Sequence, residues 1–165
     1  MKPALLIVDI QKAWLAQDER LACSVYNNVH TINSFIRIFR YFSLPVINIL
    51  HHDLQFGPPP EEPSFEIIEA IAIEPNDLCV IKNYSDAFNR TGLKDILQPL
   101  YCDTVVIVGL SAAYCISATQ TGAENNNFYA FLGKGAVCSH DQKHIEWVES
   151  AYDTISASAL YHILK

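Results

Sequence analysis

Thr104 to Val108 is an unbroken run of β-branched residues (TVVIV), and no other stretch limits the possible folds so strongly. A strand with one face in water alternates apolar and polar side chains, so a run without alternation belongs at the centre of a parallel sheet covered on both sides. Gly109 breaks the run. After Gly-Leu-Ser-Ala-Ala, the stretch Tyr114 to Glu124 is rich in Ala, Ser, Thr and Gly, which suits a helix lying close against that sheet. Cys115 then falls in the first helical turn, where unpaired N–H groups and the positive end of the helix dipole favour an anion. The thiol is therefore expected to be partly thiolate near neutral pH, and the same N–H groups are placed to hold an oxyanion. Set against this is the reading of Cys115 as a small apolar residue chosen for close packing, as free cysteines commonly are.

The other apolar segments repeat the pattern of short strand and covering helix. Ala4 to Val8, Val46 to Leu50, Leu78 to Ile81 and Phe128 to Leu132 are too short for helices and read as strands, with Asp153 to Ile155 as a last short one. Between Glu19 and Phe42, Leu21, Val25, Val29, Ile32, Phe35, Ile36 and Phe39 recur three or four apart, the stripe of an amphipathic helix. Helices are also expected at Ser64 to Ile73 with Ser64 as N-cap, after Thr91 through Leu100, at Ser139 to Ala151 and at Ser158 to Leu164. Gln55 to Pro63 (QFGPPPEEP) lacks backbone donors and a buried face, so it is a loop and a candidate lid. Strands alternating with helices predict an α/β domain, an open parallel sheet with right-handed crossovers, spanning residues 1–165 as one unit.

A formal net charge of −7 argues against binding nucleic acid or an anionic membrane, both of which need a basic patch. A small-molecule partner is expected instead. The apolar start, Ala4 to Ile10, is too short for a signal peptide or a membrane span and contains Asp9, so a cytoplasmic location is expected. Cys23, Cys79, Cys102, Cys115 and Cys138 show no CxxC spacing, which speaks against a disulfide framework and a structural zinc site.

Ligands of open α/β sheets bind beyond the carboxyl ends of the strands. Asp9 follows the first strand, Lys82 the third, and Cys115 stands just past the run that ends in Gly109. Together they would supply a proton carrier, a charge that stabilises thiolate and a nucleophile on one edge. The stretches carrying them, VDIQKAW at Val8 to Trp14, KNYSDAFNRT at Lys82 to Thr91 and VGLSAAYCISAT at Val108 to Thr119, resemble the isochorismatase-like cysteine hydrolases, a family that includes nicotinamidases and N-carbamoylsarcosine amidases. The resemblance covers nearly the whole chain.

That resemblance implies a three-layer α/β/α, doubly wound sheet of six parallel strands in the order 3-2-1-4-5-6. It implies a catalytic triad of Asp9, Lys82 and Cys115, and a cis peptide at Leu110–Ser111 that aims the Ser111 and Cys115 N–H groups at an oxyanion. Gln11, Trp14, Phe88 and Tyr114 match positions that flank or line the family's pocket. The implied activity is hydrolysis of a C–N bond in a small amide or carbamoyl compound through a thioester. The alternatives are vinyl-ether hydrolysis by the same fold, and a catalytically idle binding or assembly member. Nicotinamidases hold a metal through an Asp-x-His pair, whereas His51, His52 and Asp53 depart from that pattern, so no metal or cofactor is expected. Members of the family commonly form dimers or tetramers, so a homo-oligomer is expected. Among the five cysteines, Cys115 is expected to be alkylated first.

Overall fold

The computed structural model describes residues Met1–Lys165. Six strands form one sheet, β1 (Pro3–Val8), β2 (Val46–His51), β3 (Leu78–Lys82), β4 (Thr104–Gly109), β5 (Tyr129–Val137) and β6 (Thr154–Ile155), in the order β3-β2-β1-β4-β5-β6. All neighbours pair in parallel. β1 and β4 lie at the centre, every residue of both is buried, and their unalternated sequences are explained by that position.

One face of the sheet packs under α2 (Glu19–Tyr41) and α6 (Ala157–Leu164), through Leu5, Ile7, Val106 and Val108 against Val25, Ile32, Phe35, Phe39 and Leu160. The other face carries Leu6, Val8, Ile47 and Ile107 against α3 (Leu93–Leu97), α4 (Ser117–Asn125) and α5 (Gln142–Ala151). α2 begins where the Asp18 side chain accepts from the Arg20 and Leu21 N–H groups, and Leu21, Val25, Ile32, Phe35, Ile36 and Phe39 form its buried stripe.

Gly109 is required by both conformation and space. Its φ is +114°, and a Cβ there would run into the backbone oxygen of Val8. That close approach lets the Leu110 N–H reach the Val8 carbonyl at 3.0 Å as the chain leaves β4. Gly109→Ala is expected to cost roughly 2–4 kcal/mol through strain and displacement of β1. A thermal melt that matches wild type would contradict this packing.

Two expected elements differ, and one short helix was not expected. Ser64 to Ile73 is not a helix: only the 3-10 turn Pro63–Phe65 is helical, and the chain then makes one bridge at Ile67 to Gln11 and turns at Glu69–Ala70. Besides short local turns such as Ile71 N–H to Ile68 O at 3.2 Å, its backbone pairs with β1's continuation, Lys12 N–H to Glu66 O at 2.9 Å and Ile68 N–H to Ile10 O at 3.2 Å. The three-residue spacing of Phe65, Ile68 and Ile71, all buried, therefore reflects a strap across the sheet edge. α1 (Lys12–Gln17), a helix of under two turns, was too short to show a period. β5 runs on to Val137 through Gly133 and Gly135, with an irregular register opposite Ile107 and Gly109. No helix is long and apolar enough to cross a membrane.

Candidate active site

β1 is followed by Asp9, which adopts φ 57° and turns the chain sharply, its carbonyl accepting from the Gln11 N–H at 2.8 Å. β3 ends in Lys82, which is fully buried. Its register partner on β2 is His51, so both side chains leave the sheet on the same side. β4 leads through a cis Leu110–Ser111 peptide into a π-helical turn, Ala112–Ile116, that continues as α4 and carries Cys115.

These ends converge on the Lys82 ammonium. Nζ lies 2.9 Å from Asp9 Oδ2, 3.2 Å from Cys115 Sγ and 2.8 Å from His51 Nδ1. An ammonium has three N–H donors and no acceptor, so all three are used. His51 Nδ1 must then accept, which fixes the ring as the neutral tautomer with its proton on Nε2. Burial and the adjacent Lys82 hold the His51 imidazole below its ordinary pKa, in agreement with that tautomer. His51, like the cavity-lining Leu21 and Asp53, is a site residue that the sequence motifs did not single out. The available signal was its place one residue past an apolar strand, level with Lys82 across a parallel pair.

The expected resting thiolate does not occur. Burial and the neighbouring Asp9 carboxylate push the Cys115 thiol up to about 12, against a weaker pull from Lys82. The field at the start of a helix is outweighed by desolvation and by an anion in contact. Cys23 is exposed while Cys115 is partly buried, so the expected labelling order reverses. Brief iodoacetamide treatment followed by peptide mapping should find Cys23 modified ahead of Cys115; Cys115 leading would show an activated resting thiolate. Asp9 is buried too, and desolvation raises its carboxyl despite Lys82. Its Oδ1 has no hydrogen-bond partner among the protein groups other than the thiol it faces.

Asp9 and Cys115 open onto a cavity of about 240 Å³ with Trp14, Leu21 and Leu110 as its apolar wall. His51, Asp53 and Ser111 supply its polar side. Ser111 Oγ reaches Ser139 Oγ at 3.5 Å, and Ser139 Oγ lies 3.3 Å from His144 Nδ1. The Ser111 N–H has no acceptor within the fold. A larger groove of about 470 Å³ lies under the strap at the β2–β3 edge, but its carboxylates, Glu66 and Glu69, are both engaged by Lys12.

Of the other sequence candidates, only Trp14 lines the cavity. Gln11 is fully buried behind it, donating to His51 O at 3.2 Å and Phe65 O at 2.9 Å while accepting from Trp14 Nε1 at 3.0 Å and the His51 N–H at 2.8 Å. It ties β1, β2 and the strap together and sets the Trp14 ring. Phe88 stacks on Phe128 in the core, and Tyr114 is exposed beside His144, so neither reaches the cavity. An apolar or aromatic residue beside a motif carries no sign of which way it faces.

Asp9, His51 and Cys115 also offer ligand atoms within 4.8 Å of one another, as a metal would require. All three contact the Lys82 ammonium, which already supplies the positive charge between them. A metal at that point would have to displace a buried ion pair, so the residues present do not fit one.

The isochorismatase-domain family profile matches residues 3–157, and the chain belongs to the isochorismatase family of hydrolases. It is 28% identical over 171 residues to YrdC, an uncharacterized isochorismatase family protein of Bacillus subtilis, covering 97% of this chain and 88% of that one. A maleamate amidohydrolase of Pseudomonas putida is 25% identical over 156 residues, covering 82% and 72%. Among solved structures, N-carbamoylsarcosine amidase from Thermoplasma acidophilum superposes with a TM-score of 0.80 at 24% identity, covering 94% of this chain and 95% of that one. An isochorismatase-like hydrolase from Alkaliphilus metalliredigens reaches 0.85 at 17% identity over the whole of both chains. These two superpositions show the same fold.

Proposed function

We propose that this protein is a cysteine hydrolase that cleaves a C–N bond of a small amide or carbamoyl compound through a thioester, with no metal. The observation that carries the reading is the contact of one buried ammonium with both the Asp9 carboxylate and the Cys115 thiol. Cys115 needs a base because its thiol is protonated at rest, and Asp9 is the base within reach. Asp9 takes the thiol proton as Sγ attacks the carbonyl carbon, and the C=O electron pair moves onto oxygen. The free Ser111 N–H and the first turn around Cys115 supply donors for that oxyanion. Asp9 returns the proton to the nitrogen as the C–N bond breaks, and ammonia or an amine leaves. Water, deprotonated by Asp9, then attacks the thioester carbonyl; the C–S bond breaks, the acid leaves, and Asp9 returns the proton to the Cys115 sulfur. Lys82 holds Asp9 and the sulfur in place and balances their shared negative charge throughout. The distant likeness to a maleamate amidohydrolase supports C–N chemistry.

An ammonia-release screen over small amides and carbamoyl compounds, including maleamate and N-carbamoylsarcosine, tests the reading. Release from at least one compound is expected, and it should survive dialysis against chelator. Activity lost with chelator and restored by a divalent metal would contradict the filled position at Lys82.

One observation favours a second reading. A buried Asp9 with a raised pKa also suits an acid, as vinyl-ether hydrolysis requires. The two readings have opposite pH dependence. As a base Asp9 must be ionised, so kcat/KM falls as pH drops through its raised pKa, above the ordinary value of 3.8. As an acid it must be protonated, and the rate would rise over the same range.

A further inference from the structure

The formal charges around the cavity do not cancel. Asp9 and Lys82 neutralise each other at 2.9 Å, and His51 is neutral because a second proton would set two cations 2.8 Å apart. That leaves Asp53. Its Oδ1 accepts from the Gln55 and Phe56 N–H groups at 2.8 and 3.0 Å, while its Oδ2 takes no bond. Those N–H groups hold the Asp53 carboxyl below its ordinary pKa, so it is ionised near neutral pH. Gly57, at the end of the same turn, lies against the Trp14 ring, a Cβ there meeting it at 3.0 Å, which seats the turn on the cavity wall.

No arginine lines the cavity, and no lysine other than Lys82 reaches it. Lys12 is held by Glu66 and Glu69 and Arg90 lies against the Tyr84 ring, while Arg20, next to Leu21 of the wall, is not itself part of the lining. A substrate carboxylate entering this space would find an aspartate, an apolar wall and no counter-ion. An ammonium or a hydrogen-bond donor would find a free carboxylate oxygen.

We propose that Asp53 is the specificity-determining residue of this site, selecting amides whose far end is a cation or a neutral hydrogen-bond donor and rejecting those that carry a carboxylate. The proposal rests on the C–N hydrolase reading for the word amide, and on the cavity alone for the charge.

Two measurements separate those parts. The first needs no turnover: Cys115 is labelled near neutral pH with 2-aminoethyl methanethiosulfonate, a cation, and with its 2-sulfonatoethyl counterpart, an anion, and rates are read by peptide mapping. Exposed Cys23 serves as the internal reference. Dividing one rate by the other cancels the intrinsic reactivity of each thiol and leaves the local field. The cation-to-anion ratio at Cys115 is expected to exceed that at Cys23 by about tenfold, and to drop at least ~3-fold in Asp53→Asn. Asparagine keeps Oδ1 as acceptor for the turn, so the variant should fold. A ratio at Cys115 no higher than at Cys23, or one unmoved by the substitution, overturns the proposal.

The second measurement compares ammonia release from 4-hydroxybutyramide, 4-aminobutyramide and succinamate, similar in length, with a far end that is a neutral donor, a cation and a carboxylate respectively. The cationic and neutral amides should exceed succinamate in kcat/KM by about tenfold or more, with the gap narrowing in Asp53→Asn. Succinamate as the best substrate overturns the charge selection and leaves the C–N reading intact. No ammonia from any amide, with the labelling ratio as expected, rejects the C–N reading and upholds the charge selection.

Discussion

Cys115→Ala is expected to lose at least ~10⁴-fold in kcat on any amide the wild type hydrolyses, because removing a covalent nucleophile leaves only binding and oxyanion stabilisation. The variant should fold as well as wild type. Cys115 Sγ receives one bond, from a Lys82 ammonium that keeps its contacts with Asp9 and His51. A large loss of turnover with little change in melting temperature is therefore the signature of a nucleophile. Under vinyl-ether hydrolysis the same variant would keep most of its rate.

Asp9→Asn should be nearly as inactive, by ~10²- to 10⁴-fold, the usual cost of a lost general base. It should also be much less stable. Asp9 and Lys82 are both buried, 2.9 Å apart, and removing one charge of such a pair leaves the other without compensation, at about 3–5 kcal/mol. Adding Lys82→Met removes the orphaned charge as well. The double variant should therefore recover most of the lost stability in a chemical melt while remaining inactive. If Asp9→Asn melted like wild type, the carboxylate would not be the counter-ion of Lys82.

The open parallel sheet was legible from strand chemistry and connection length, while its order came from the family resemblance. β1 and β4 carry unalternated apolar runs, which only a doubly covered centre accommodates, and long crossovers between parallel strands leave few arrangements. The strap at Ser64–Ile73 was misread because its apolar spacing is helical while Glu66, Ile68 and Ala72 bond to Lys12, Ile10 and Asn33, partners far away in sequence. The convergence of Asp9, Lys82 and Cys115 could be anticipated because each lies at or just past a strand end and the rule for open sheets places those ends together. His51 obeys the same rule, but it was weighed against His52 as a metal ligand and not against Lys82 as a hydrogen-bond acceptor. The protonation state of Cys115 was beyond the sequence: it depends on how much solvent the folded cavity excludes and on which carboxylate touches the sulfur, and neither is written in a local stretch of chain.

The mechanism turns on a covalent bond between substrate carbonyl and Cys115 sulfur. It is tested most directly by acid-quenching the enzyme during turnover of an amide from the screen and measuring the mass of the peptide that carries Cys115. An added acyl mass is expected on that peptide alone, disappearing when substrate is exhausted and diverted to a hydroxamate by added hydroxylamine. An unmodified Cys115 peptide at every time point, with no hydroxamate formed while product accumulates, would contradict it.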